Sequence, residues 1–595
     1  MRKQAHYVAK PMSVAKTRWG SKPDCLLAGN EAGCIRIVVM AEPTPIPLTA
    51  SRAEQIYPIL SSTQIQRLVA HGQARSVHAG DVLVEPGDRE IPIFVVISGE
   101  LEAVRPSFAQ ETLIRTIGPG QFTGELNTLS GRRAIARIRA RQDGQIVEVA
   151  RDNVLALVQA DAGLSEILMR AFILRRAELL AQGIGDVTLV GSNYSAETLR
   201  IKEFLTRNDH PYTYINLEHD PAVQNLLDHF HVSVAETPVV ICRGETVLRN
   251  PTNSEIAGCL GFNEEIDETR VRDLVVVGAG PAGLAAAVYG ASEGLDILLL
   301  ETYSPGGQAG SSSRIENYLG FPTGISGNEL AGRAYTQAQK FGAQMLLARV
   351  SGLKCDGKRY EIGLEDGTSI ASKTIVIATG ASYRRLPIHD LSRFEGAGVY
   401  YGATSVEAQL CSGEEAIVVG GGNSAGQAAV FMAQNSKHLY LLVRGSGLVD
   451  SMSRYLIRRI EQTPNITLLS NTELVGLEGS NHLERVKWRN NLSGDEETKN
   501  IAHVFVMTGA EPNTGWLNRC VVLDGKGFIK TGPELSQEEL IEASWPLTRR
   551  PYLLETSLPG VFAAGDVRAG NVKRVASAVG EGSIAISFVH QVLKE

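Results

Sequence analysis

Two glycine-rich turns constrain this chain most, because each follows an apolar β-type run and opens an alanine-rich helical segment. In VVVGAGPAGL (275–284), Gly278, Gly280 and Gly283 let the backbone turn tightly, with Pro281 and Ala282 opening the helix. The free N–H groups at such a helix start suit a pyrophosphate. The next strand, DILLLE, ends just over twenty residues on in Glu301, placed to accept hydrogen bonds from an adenosine ribose. A glycine turn holding no ligand is the bland alternative. The second turn, IVVGGGNSAG (417–426), repeats the grammar with Gly420, Gly422, Asn423, Ser424 and Ala425, about 140 residues downstream. Its following strand, HLYLLV, leads into Arg444 instead of an acid. An arginine there matches a 2′-phosphate, which favours NADPH over NADH, although a solvated surface cation explains it equally simply.

Two such units make the C-terminal half a doubly wound α/β protein and the whole chain a multidomain one, as 595 residues imply. Sixty glycines, about 10% of the chain against an average near 7%, fit glycine-rich ligand loops. Fifty-eight basic and 65 acidic residues give a net charge of −7, which leaves no basic field for nucleic acid or an anionic membrane. The uncharged stretches 274–292 and 416–436 contain the two turns, so they read as strand, loop and helix and not as membrane spans. Seven cysteines (Cys25, Cys34, Cys242, Cys259, Cys355, Cys411 and Cys520) are too sparse for a disulfide framework and include no CxxC pair. They predict a reducing cytoplasm and no metal site.

Residues 1–49 read as a disordered leader, with Met40 an alternative start. From 50 to 183, short β-type runs such as GDVLVEP and IFVVISGELEAV predict a β-roll, followed by a helix over 164–180. Residues 184–264 alternate strand and amphipathic helix as a compact α/β unit, and 270–595 carry the two glycine turns.

The last of these resembles a low-molecular-weight thioredoxin reductase. Besides both turns, the likeness rests on SPGGQAGSSSRIENYLGFP (304–322), VIATGA (376–381), TGAEPNT (508–514) and LPGVFAAGDV (558–567). It implies an FAD domain (270–388 and 510–595) interrupted by an NAD(P)H domain (389–509), and a homodimer. By the same resemblance Gly306, Gly307, Gln308 and Asn317 surround the flavin, Thr379 and Gly380 close the adenine side, and Gly565 and Asp566 meet the ribityl chain. The family's redox CxxC aligns with VYYGATSVE, where Gly402 and Ser405 take the cysteine positions and Val406 that of the following aspartate. No dithiol can form there. Cys411 lies six residues past Ser405 and reads as a buried structural thiol.

Residues 187–205 with ETPVVI, including Thr237 and Pro238, resemble a glutaredoxin or thioredoxin-like fold, yet the turn that normally carries its thiols reads Ser192, Asn193, Tyr194 and Ser195. This fusion is similar to the flavoprotein subunit of alkyl hydroperoxide reductase, without either dithiol. Cys242 and Cys259 flank a short segment and are conceivable partners. The first unit resembles a cyclic-nucleotide-binding domain through turns at Gly80, Gly87 and Gly99 and the cassette FTGELNTLSGRRAIA (122–136). The resemblance offers Gly124, Glu125, Leu126, Arg133 and Ala134 to a cyclic nucleotide, with Arg133 on the phosphate and Glu125 on the ribose. Ion pairing of Arg132 or Arg133 with a protein carboxylate is the alternative. No winged helix follows, which argues against a transcription factor.

The expected function is thus an FAD oxidoreductase that takes hydride from NADPH and passes electrons directly from the flavin, under possible control by a cyclic nucleotide. Its acceptor is left open among oxygen, a quinone or dye, an electron-transfer protein and a partner disulfide. Two other readings stand beside it: a non-catalytic flavin-binding sensor or scaffold, and a disulfide reductase that uses a non-standard cysteine.

Overall fold

The computed structural model describes residues 52–105, 111–182, 185–193, 195–217, 232–233, 236–243, 246–263, 266–355, 359–480 and 482–595. The expected leader, 1–49, lies outside the described residues, as does Tyr194.

In the first unit the long strand Ile93–Arg105 pairs antiparallel with Arg137–Val149 on one side and Thr112–Ile117 on the other. Side chains of a strand alternate between its two faces, so this sheet builds two cores. Phe94, Val96, Leu101, Ile117 and Ile146 fill the interior of the roll. Ile93, Val95, Val147 and Val149 pack outward against helices Arg151–Ala160 and Ala162–Gln182, which contribute Leu157, Leu164, Leu168 and Phe172. The predicted 164–180 helix is thus a few residues longer, and its apolar stripe has found its partner face.

The middle unit has strands Val187–Gly191 and Tyr212–Asn216 in parallel, joined by helix Ala196–Arg207. Val239–Cys242 and Thr246–Arg249 extend the sheet antiparallel, and helix Asn253–Leu260 closes it. The Thr237–Pro238 bond is cis. Ser195 caps the first helix by accepting from the Thr198 N–H, while Thr252 and Glu255 form a capping box on the second.

The C-terminal half holds two parallel sheets. Arg272–Val277 lies between Ile297–Glu301 and Ser369–Ile377, with Val561–Ala563 returning from near the chain end to pair with Ser369–Ile377. Glu415–Val419 lies between His438–Val443 and His503–Val506 in the second sheet. The ribbon Ala381–Tyr383 with Ala510–Pro512 carries the chain between them. Both stretches that lacked charge are strand, turn and helix, and among the described residues no helix is long and apolar enough to cross a membrane.

One expectation is corrected. Cys355 and Cys520, 165 residues apart, form a disulfide. The hairpin strand Val350–Lys354 and the short 3-10 helix Gly515–Leu517 pack together and bring them into reach, a juxtaposition that sequence spacing does not encode. Cysteine usage therefore gives no ground for assigning a reducing compartment.

Phe172 is fully buried and meets Phe122 edge to face at 6.2 Å. Replacing it with Ala is expected to cost about 3–5 kcal/mol. Amide exchange of Ile93–Arg105 measures this: faster exchange is expected there, and unchanged protection would show that the helix does not hold the roll.

Candidate active site

The two glycine turns are built by close backbone approach. Gly278 has φ +103°, and a Cβ there would lie 2.4 Å from the Ala378 carbonyl oxygen. A Cβ on Gly283 would lie 1.8 Å from the oxygen of Gly278, so this glycine serves helix-to-turn packing. Gly280 differs: a Cβ there would meet nothing nearer than Gly307 Cα at 3.9 Å, leaving an open cradle before the helix Pro281–Ser292. Glu301 fixes the turn, since its carboxylate accepts from the N–H groups of Ala279 at 2.7 Å and Tyr303 at 2.9 Å. In the second turn Gly420 is held close to the Met507 carbonyl and Ala425 is buried, while Gly422 starts helix Asn423–Met432 with open space around it.

A cavity of about 1060 Å³ opens from the first turn to the second. It is lined by Gly278, Gly280, Pro281, Ala282, Glu301, Gly307, Gln308, Asn317, Thr379, Gly380, Gly565 and Asp566 on one side, and by Gly402, Asn423 and Ser424 on the other. Gly306 sits behind it at φ +102°, donating its N–H to the Ala279 oxygen. Thr379 and Asn513 hold each other through reciprocal side-chain to carbonyl hydrogen bonds of 2.9 and 2.8 Å. Burial raises the Asp566 carboxyl above the usual range, against the pull of Lys573. Arg444 is exposed, one residue beyond strand His438–Val443, and does not line the cavity.

The donor set suits a flavin dinucleotide: an open backbone cradle for the pyrophosphate, amide side chains at Gln308 and Asn317, and a buried carboxyl at Asp566. Gly402 lies on the wall of the same cavity, near Gln308 and Ser311, and its missing side chain leaves that wall without a thiol. Cys411 is fully buried, and its thiol is pushed up to about 11 by desolvation. Cys242 and Cys259 are free and hydrogen-bonded to each other; Cys259 is lowered to about 7 by that bond and by Arg243.

These observations meet the family comparison. Residues 272–582 match the pyridine nucleotide-disulphide oxidoreductase family over more than half of the chain. The chain belongs to that family. It is an NAD(P)H-dependent flavin oxidoreductase of the thioredoxin-reductase-like class. It is 32% identical over 326 residues to a thioredoxin reductase of Ureaplasma parvum, covering 54% of this chain and 97% of the relative. The corresponding enzyme of Bacillus subtilis is 28% identical, with 56% and 97% covered. A 34.2 kDa protein in the rubredoxin operon of Clostridium pasteurianum is 30% identical, with 53% and 96% covered. Residues 74–161 match the cyclic nucleotide-binding domain, which this oxidoreductase therefore carries at its N-terminal side.

In that domain a cavity of about 100 Å³ is lined by Gly124, Glu125 and Ala134, as the cassette predicts, but not by Leu126 or Arg133. Leu126 packs on the helical core instead. Arg133 is the clear correction: its side chain lies over Gly261 of the middle unit, where a glycine Cβ would be 2.5 Å from Nε. The cations at the cavity are Arg115 and Arg175. Arg175 donates to the carbonyls of Ile56 and Gly124, and burial lowers it to about 10. Glu125 pairs with Arg176 at 2.7 Å. Arg132 pairs with no carboxylate; it donates to the Asn208 carbonyl at 2.8 Å and lies over the Phe262 ring.

Sequence reasoning missed the helix Ala196–Arg207, which forms part of the cavity wall through Leu199, Glu203 and Arg207. Leu199 is buried in the core of the second nucleotide fold, and Arg207 donates to the Gly307 carbonyl at 2.7 Å. Glu203 reaches Glu407, the capping-box residue of helix Ser405–Leu410. Desolvation, then the hydrogen bond and the charge of Glu407, push Glu203 up to about 9 against the opposing Arg207.

A folded-state value above the unfolded 4.5 means that the unfolded chain holds fewer protons across that window. The contribution of Glu203 to stability is therefore complete below about 4.5 and declines as pH rises to about 9. Urea denaturation of Glu203→Gln against the natural chain tests this. The difference is expected to shift in favour of Gln across that interval and level off above it; a pH-independent difference would contradict the assignment.

Proposed function

We propose that this oxidoreductase binds FAD along the first glycine turn and NADPH along the second, and passes electrons to its acceptor without a thiol relay. The single observation that carries the reading is the continuity of one cavity from Gly278 and Asp566 to Asn423 and Ser424, with Gly402 at the position of the family's first cysteine. Bound FAD supplies two-electron chemistry, exchanging a hydride equivalent with a nicotinamide. The chain's own work is placement. The Gly280 cradle and the N-terminus of helix Pro281–Ser292 receive the pyrophosphate, and Glu301 holds that turn through the Ala279 N–H. Asp566, kept from ready ionisation by burial, offers the ribityl hydroxyls a carboxyl partner.

The middle unit, on this reading, is thioredoxin-like in strand order and serves as a wall of the cavity rather than a thiol carrier. Its contacts through Leu199 and Arg207 support that role. The protein acts as a cytoplasmic homodimer. Reduction through a non-standard cysteine is disfavoured by the burial and raised value of Cys411. A cyclic nucleotide is the proposed ligand of the N-terminal domain, and engaging its phosphate through Arg133 requires that residue to leave Gly261.

Anaerobic titration of the FAD-loaded chain tests the reading. NADPH is expected to bleach the flavin and NADH to do so less readily, with Arg444→Ala weakening apparent NADPH affinity by about tenfold, the worth of one lost charge-assisted contact. Flavin that stays oxidised with both nucleotides would favour the non-catalytic sensor, and an unchanged preference in Arg444→Ala would leave that arginine a surface cation.

A further inference from the structure

The cavity wall carries a pair of carboxyl groups that neither glycine turn explains. Glu407 is 1% exposed, and its Oε2 accepts from the Thr404 N–H at 2.7 Å and from the Thr404 hydroxyl. Its Oε1 is buried without a fixed donor. A Cβ on Gly402 would lie 3.9 Å from that Oε1, so the pair sits beside the place of the family's first cysteine. Glu203 comes from the middle unit, lines the cavity, and is hydrogen-bonded to Glu407. Two ionised carboxylates both accept and repel each other at this range, so the contact requires one proton between them. The charged and titratable groups that face the pair are Arg207 and Tyr303 beside Glu203, and Tyr400, Cys411 and Glu414 beside Glu407 or its neighbours.

We propose that Glu203 and Glu407 hold a single proton on the wall of this cavity and deliver it to a quinone-class acceptor that takes its electrons from NADPH. The proposal rests on the flavin reading above and adds the acceptor and its proton source. NADPH gives up two electrons and one proton as hydride equivalents and leaves as NADP+. The quinone gains both electrons, that proton and the proton of the pair, so its two carbonyl oxygens become hydroxyls. The pair is left doubly ionised and recovers its proton from water. Quinone chemistry suits the wall for two reasons. Aromatic rings of Tyr383, Tyr400, Tyr401 and Trp516 line it and can flank a planar ring. An acid stands where a disulfide reductase needs a thiol, and a one-electron carrier would consume no proton at the site. The value of about 9 for Glu203 keeps the pair loaded at neutral pH.

The test uses the FAD-loaded full chain. Infrared titration is expected to show a protonated carboxyl band that disappears with a midpoint about 9 and is missing from Glu203→Gln. Stopped-flow oxidation of the NADPH-reduced protein by a water-soluble benzoquinone is expected to slow about tenfold per pH unit above that midpoint. In Glu203→Gln it should fall by about a hundredfold and lose the alkaline limb, in the range of a lost general acid. Glu407→Gln, which keeps an acceptor oxygen for Thr404, should lose the same limb if the first variant fails to fold. Absence of the carboxyl band in the natural chain overturns the shared proton. A band with pH-independent oxidation by benzoquinone overturns its delivery, and so does reactivity confined to disulfides or one-electron carriers. Flavin that NADPH does not bleach removes the enzyme reading and the delivery step together, while the infrared titration still reports separately on the pair.

Discussion

Backbone-to-backbone contact at Gly278 and Gly283 is the constraint on which the rest of the structure depends. A side chain at either position would drive into a carbonyl oxygen, so the turn closes only without one. Once closed, it aligns the ends of strands Arg272–Val277 and Ile297–Glu301, brings Glu301 onto the Ala279 N–H, and leaves open space at Gly280. The second fold repeats the device at Gly420 against Met507. Parallel sheets bind ligands at the carboxyl ends of their strands, and here two such ends face one cavity.

The other units are joined to that cavity by polar groups that have left water. Arg132 of the N-terminal domain donates to the Asn208 carbonyl, and the Asn208 amide donates to the Tyr303 carbonyl at 3.0 Å, immediately after the strand that ends in Glu301. Asn328 donates to Asp209 at 3.0 Å alongside. Buried polar contacts of this kind are costly to leave unmade, so the three units share a fixed geometry along helix Ala196–Arg207. A ligand that changes the cassette around Arg132 and Arg133 therefore acts on the same chain of contacts that positions the cavity wall.

The parts legible in the sequence are those with local grammar. The glycine turns, the strand that ends in Glu301 and the β-roll each follow from spacing within some twenty residues, and uncharged stretches resolve as strand, turn and helix because the glycines punctuate them. What was not legible depends on distant residues meeting. Glu203 and Glu407 are 204 positions apart, and the TSVE run announces only a helix cap. Cys355 and Cys520 carry no spacing signal. Arg133 fits the cassette pattern, yet the middle unit offers its side chain a glycine surface, and Arg175 from a later helix takes the place beside Gly124. Sequence motifs specify backbone turns more firmly than they specify where a long, flexible cation ends.

The central claim is that electrons leave this oxidoreductase without passing through a thiol. The most direct measurement is steady-state NADPH oxidation with benzoquinone as acceptor, before and after exhaustive alkylation of accessible thiols in the native, FAD-loaded chain. The account predicts equal rates, because Gly402 stands at the first redox position and Cys411 is buried. Loss of turnover on alkylation, with flavin bleaching by NADPH intact, would contradict it and place a cysteine between flavin and acceptor.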